Sequence, residues 1–156
     1  LEFEEPVYQT VAAAAGSVYV IRRTPQNDKV VRLDYETLVE QSSQNVQGRV
    51  VWGPFRVGES VLVYTSASRL YCFGASQQLS WVSEPEQIKP IGRGFEVDGH
   101  YVLVGGNGMI WKVDAQDGTT QSAVPLGQKI TGMPVLFQGQ IWVPTSKGVL
   151  RPVPLG

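Results

Sequence analysis

An all-β fold is predicted for this chain, and three observations predict it. Apolar alternation at period two, built from Val, Ile, Tyr, Trp and Phe, runs along the whole sequence. No helix-length window sustains the i, i+3, i+4 spacing of an amphipathic helix, and 10 prolines and 17 glycines cut the chain into short runs. A glycine followed by an alternating apolar run recurs four times: Gly16-Ser-Val-Tyr-Val, Gly58-Glu-Ser-Val-Leu-Val-Tyr, Gly99-His-Tyr-Val-Leu-Val and Gly139-Gln-Ile-Trp-Val. The anchors stand 42, 41 and 40 residues apart (58−16, 99−58, 139−99). One all-strand unit copied at about 41 residues predicts a β-propeller built of four-stranded blades.

Each blade is justified in turn. The first, over residues 10–44, is expected to hold strands at 10–15, 17–23, 29–33 and 37–41, with a long second turn at residues 24–28. The second, over 53–84, reads as strands 53–57, 60–65, 69–73 and 78–83. The third, over 94–126, reads as 94–98, 100–105, 109–114 and 119–126. Its Gly106-Asn107-Gly108 segment is a hairpin signal, because glycine tolerates positive φ. The fourth, over 133–155, supplies strands at 133–137, 140–144 and 149–153, and the sequence ends before a fourth. The alternating segment 1–5 is expected to complete that blade, since closure covers exposed strand edges. The chain then forms one repeat domain over 1–156. Three arrangements stay open: a closed four-blade ring, half of an eight-blade ring completed by a second copy, or a piece of a longer propeller.

Composition bounds the function. The 156 residues are 42% apolar and only 17% charged, with a formal net charge of −1. Such a balance gives no electrostatic pull toward nucleic acid, so no nucleic-acid partner is expected. The apolar runs are of strand length, so no transmembrane segment is expected. The sequence begins at Leu1 without a visible leader, which leaves a removed leader open. A single cysteine, Cys72, excludes an internal disulfide and reads as a buried strand residue.

The repeat unit resembles that of the pyrroloquinoline-quinone-enzyme-like, or quinoprotein-like, propellers. The residues that carry the resemblance run from Gly99-His-Tyr-Val-Leu-Val through Met109-Ile-Trp-Lys-Val-Asp114 to Gly118, and from Gly58 through Arg69-Leu-Tyr-Cys-Phe-Gly74 to Trp81. Residues 29–34 and 148–153 are poorer copies. The first and third blades lack the fourth-strand Trp that the family packs between blades. The resemblance implies a periplasmic or otherwise extracytoplasmic location. It is unspecific for activity, since enzymes, scaffolds and sensors share the unit.

The chemistry of that family's enzymes has no counterpart in these residues. A vicinal cysteine pair cannot form from one cysteine. Calcium needs about six to eight converging oxygens, and Glu59, Asp98, Asp114 and Asp117 lack ligand-loop spacing; the last two read as turn residues. One His100 and one Cys72 cannot make a zinc site. No catalytic, cofactor-binding or metal residue is therefore assigned, and no cofactor is expected.

The blade connections and turns place Arg49, Trp52, Glu86, Lys89, Arg93, Lys129 and Lys147 on one rim. A mixed-charge loop face with an aromatic residue on a rigid scaffold is a candidate partner-binding surface. The function expected is a non-catalytic scaffold that binds a protein or peptide through rim loops or strand edges, with a homodimer open. The alternative is a fragment or half of a quinone-dependent dehydrogenase-like enzyme.

Overall fold

A computed structural model describes residues 7–76, 78–85 and 88–155. Its described residues form 15 strands and no helix. The chain divides into two compact units, Leu1–Pro85 and Glu86–Gly156. In the first unit, β1 (Val7–Ala14), β2 (Ser17–Arg23), β3 (Asp28–Asp34) and β4 (Glu40–Val46) pair antiparallel in that order. So do β5 (Val50–Val57), β6 (Ser60–Thr65), β7 (Leu70–Phe73) and β8 (Leu79–Ser83). The second unit holds a four-stranded sheet of β9 (Phe95–Val97), β10 (His100–Val104), β11 (Met109–Asp114) and β12 (Thr120–Pro125). A three-stranded sheet of β13 (Val135–Phe137), β14 (Gln140–Pro144) and β15 (Leu150–Pro152) completes it. The fold is an all-β propeller of four blades. Residues 1–5, expected to close the fourth blade, lie outside the described residues.

The turn joining the first two strands of each blade sets the register, and it corrects the repeat spacing. Ala15-Gly16, Asp98-Gly99 and Gln138-Gly139 have positive φ at both positions (48° and 74°, 49° and 73°, 52° and 75°), the signature of a type I′ hairpin. In the second blade Gly58 stands first with φ 60° and Glu59 second, as in a type II′ turn. Glu59 is thus the counterpart of the other three glycines. The second strands then start at Ser17, Ser60, His100 and Gln140, at intervals of 43, 40 and 40 (60−17, 100−60, 140−100). All of the excess in the first interval lies in the turn before Asp28. Ser17 to Val30 is 13 residues, against 10 for Ser60 to Leu70, His100 to Ile110 and Gln140 to Leu150 (30−17, 70−60, 110−100, 150−140).

A second correction concerns β4, expected at 37–41 and found at Glu40–Val46. Asp34 Oδ1 accepts hydrogen bonds from the Glu36 and Thr37 amides, and Leu38 takes φ 57°. This side-chain-capped turn holds residues 35–39 out of the ladder.

Alternation along the second strand gives each blade two apolar faces. Tyr19 and Ile21 of the first blade pack on Val61 and Val63 of the second. At the same repeat positions, Val102 and Val104 of the third blade pack on Ile141 and Val143 of the fourth. Each such Val or Ile contributes about 1.5–3 kcal/mol by leaving water. We call the face carrying Tyr19, or its counterpart, the forward face. The main chain adds a clamp at the same spacing: the carbonyls of Arg49, Lys89 and Lys129 accept from the amides of Ser66, Gly106 and Ser146. Each connection is thereby tied to the second turn of the blade it enters.

Candidate functional site

The predicted rim residues fall into different environments. In the first unit, Arg49 is half-buried and its guanidinium is committed to its own fold. Nη1 donates to Asp28 Oδ1 (2.8 Å) and the Thr24 carbonyl (2.7 Å), and Nη2 to the Pro25 carbonyl (3.0 Å). Trp52 is buried, 6% exposed, with its ring centroid 4.9 Å from that of Phe55. Its bulk sits inside the sheet packing, not on an open surface. Glu86 lies outside the described residues.

In the second unit, Lys89, Arg93, Lys129 and Lys147 are all exposed. The Ser146 amide bonds the Lys129 carbonyl (2.9 Å), which brings the turn bearing Lys147 beside Lys129. Gly92 is close-packed against Met133 and Pro134: a Cβ built on it would lie 2.9 Å from Pro134 Cδ. That contact sets Arg93 next to Met133, which is 77% exposed.

Met133 begins an apolar surface that the sequence reading missed. In the fourth blade, Val135, Phe137 and Leu150 are exposed (53%, 60% and 61%). Their pairings place Val135 opposite Trp142, and Leu150 opposite Pro144, on the forward face. Forty residues earlier the same positions hold Phe95, Val97 and Ile110. Phe95 and Ile110 are buried, and Val97 packs against the cluster that includes Ile141 and Val143 of the fourth blade. The fourth blade therefore presents to solvent the face that the third blade covers. The hydrophobic residues themselves gave no warning in the sequence. The 40-residue interval aligns forward positions of the third and fourth blades, but it does not tell which of them are left uncovered.

The carboxylates serve the fold. Asp28, 0% exposed, accepts from Arg23 Nε and Nη2 (both 2.9 Å), Arg49 Nη1 (2.8 Å) and the Val50 amide (2.8 Å). Burial pushes its pKa up, but the hydrogen bonds from Arg23, Arg49 and Val50 outweigh it and hold the carboxyl below the usual range. Asp114 Oδ1 accepts from the amides of Gln116 (2.8 Å) and Asp117 (3.3 Å), and Asp117 Oδ1 from that of Thr119 (2.7 Å). Both aspartates shape a turn, as their sequence positions predict. His100 Nδ1 lies 2.7 Å from the Asp98 carbonyl oxygen, within its own hairpin. Cys72 is buried. Among the described residues, no three His, Cys, Asp or Glu side chains converge as a metal site would require.

No protein-family model matches this sequence, and no curated protein does. Solved structures do. BamB from Moraxella catarrhalis superposes with a TM-score of 0.73 at 15% identity, covering 96% of this chain and 47% of that one. The computationally designed Ika4 protein gives 0.69 at 10% identity, covering 99% of this chain and 94% of that one. BBS1N, solved in complex with ARL6DN, gives 0.62 at 13% identity, covering 93% of this chain and 45% of that one. The chain thus spans about half the length of BamB and BBS1N, and nearly all of Ika4. At these identities what is shared is the fold, a β-propeller.

Proposed function

We propose that this chain is a non-catalytic propeller scaffold that binds a protein partner through the forward face of its fourth blade and the basic loops beside it. The observation that carries the reading is the exposure of Val135, Phe137 and Leu150 at positions that the preceding blade keeps covered. A contiguous apolar surface bordered by polar residues marks an interaction site. Arg93, Lys129 and Lys147 would form its polar rim. The complex of BBS1N with ARL6DN supports the reading by showing a protein of this fold engaged with another protein. The resemblance to the quinoprotein-like repeat supports a location outside the cytoplasm for the scaffold.

The test compares the wild-type chain with Phe137→Asp/Leu150→Asp in affinity capture from extracts of the source cells. Both positions are solvent-exposed, so the variant is expected to keep the wild-type Tm. At least one protein should be held by the wild type and lost by the variant. Identical captured sets from both chains would sink the proposal.

A further inference from the structure

The two units share one defect of the repeat and resolve it differently. Pairing across the third and fourth strands sets Arg32 opposite Ser42, Cys72 opposite Trp81 and Lys112 opposite Ser122. These are equivalent positions on the forward faces. Trp81 is buried there (8% exposed), and Ser42 and Ser122 stand where the first and third blades would carry the same indole. A serine in place of a tryptophan leaves a gap between a blade and the next.

In the second unit the chain fills its own gap. Residues 153–155 follow β15 across this region. Val153 is buried in the cluster shared by the third and fourth blades, and Leu155 packs against it. Lys112, from the same cross-strand row as Ser122, donates through Nζ to the Leu155 carbonyl (3.0 Å). An extended segment thus supplies an apolar side chain to the core and a carbonyl to the cation.

In the first unit the gap is a cavity of about 480 Å³. Tyr19 and Phe73 form its aromatic wall, their ring centroids 5.8 Å apart at 49°. Arg32, Ser42, Gln44 and Leu79 also line it. The Arg32 guanidinium is steadied by the hydroxyls of Ser42 (3.2 Å) and Ser17 (3.4 Å). The volume lies in the range of about 300–1,000 Å³ common for ligand sites, and beyond the two rings, Val30 and Leu79 the lining is polar, with Arg32, Gln41, Ser42, Ser43, Gln44 and Gln78.

We propose that this cavity is a docking pocket for an extended peptide segment, which inserts an aromatic side chain beside Tyr19 and Phe73 and offers a main-chain carbonyl to Arg32. The proposal deepens the scaffold reading and rests on it, with a second contact point in the other unit. The peptide takes in the first unit the part that residues 153–155 take in the second. Its aromatic side chain occupies the space that Trp81 fills one blade later. Edge-to-face contact with the two rings adds to the area it buries.

The test uses the full chain, with blocked peptides acetyl-Val-Pro-Trp-Gly-amide and acetyl-Val-Pro-Ser-Gly-amide as probes, followed by amide chemical shifts. Saturable shifts at Ser42, Gln44, Phe73 and Leu79 are expected with the tryptophan peptide and not with the serine peptide. Ser42→Trp, which restores the repeat residue, should abolish them and raise Tm. Arg32→Gln should weaken binding at least ~5-fold, the loss of one hydrogen bond to a charged group. No saturable shift in the folded wild type would overturn the proposal, as would unchanged binding in Ser42→Trp. Should Ser42→Trp fail to fold, unchanged affinity in Arg32→Gln overturns it instead. A Ser42→Trp chain that loses the peptide but keeps the partner captured by the fourth blade supports both readings. Loss of the captured partner in Phe137→Asp/Leu150→Asp with peptide binding intact separates the two sites.

Discussion

Asp28 shows how a single side chain can hold a turn that the repeat does not need. Its carboxylate gathers two guanidiniums and one amide at a point with no solvent contact. Asp28→Ala would strand those donors, at a cost of about 3 kcal/mol, the low end for a broken buried pair because both arginines retain water on one side. The prediction is a lower urea midpoint with an unchanged m-value. The same residue sets an acid limit. Its folded pKa is depressed, so its stabilisation is full above the unfolded value of about 3.9 and fades as pH falls through the folded value. Stability measured against pH should fall on the acid side, and Asp28→Asn should flatten that part of the fall. This knot was invisible in the sequence. Residues 24–28 read as a long polar turn, and nothing in their order says that Arg49, 21 residues on, returns to the same carboxylate.

The hairpins show what was legible and where legibility stopped. Blade number, strand order and most strand limits followed from alternation and glycine spacing. The anchor glycines, however, do two different jobs. Gly16, Gly99 and Gly139 take the second place of a type I′ turn and Gly58 the first of a type II′ turn, which a one-letter pattern cannot distinguish. That one-residue offset hid which side the apolar residues of the second blade face relative to those of the other three. The turns also make a prediction. Ala15 and Gln138 bear positive φ that asparagine tolerates better. Ala15→Asn and Gln138→Asn should each raise stability by a few tenths to about 1 kcal/mol. Gly108→Ala should do the reverse by more than ~1 kcal/mol: its φ is 87°, and the added methyl would run into the Gln128 carbonyl oxygen. Thermal scans of the three variants check both signs.

For the chain taken entire, the uncovered fourth-blade face predicts association. Light scattering should give a mass that rises above 17.1 kDa with concentration, and Phe137→Asp/Leu150→Asp should return it to 17.1 kDa. A mass that stays at 17.1 kDa throughout would remove self-association and leave the face to a different protein. Quinone with calcium is expected to leave Tm unchanged, since a ligand of the folded state must raise it. A clear rise would favour the dehydrogenase-like alternative. The rim residues chosen from the sequence were a mixed set for a physical reason. Trp52, expected in a connection, lies within β5, which begins at Val50 and not at 53, and its side chain is buried, whereas Lys129 lies between strands and is exposed.

The constant interval between the last three second strands, 40 and again 40, has a bearing on how such a gene can change. Because side-chain direction alternates, a copying error that adds or drops one codon within a strand would turn the following apolar residues of that strand to the wrong side. An error that duplicates or removes one complete unit carries its turns with it and leaves every face where it was. Recombination between neighbouring units is therefore the tolerated route to a longer or shorter ring. The three residues gained before Asp28 were accommodated only because they fell in a turn.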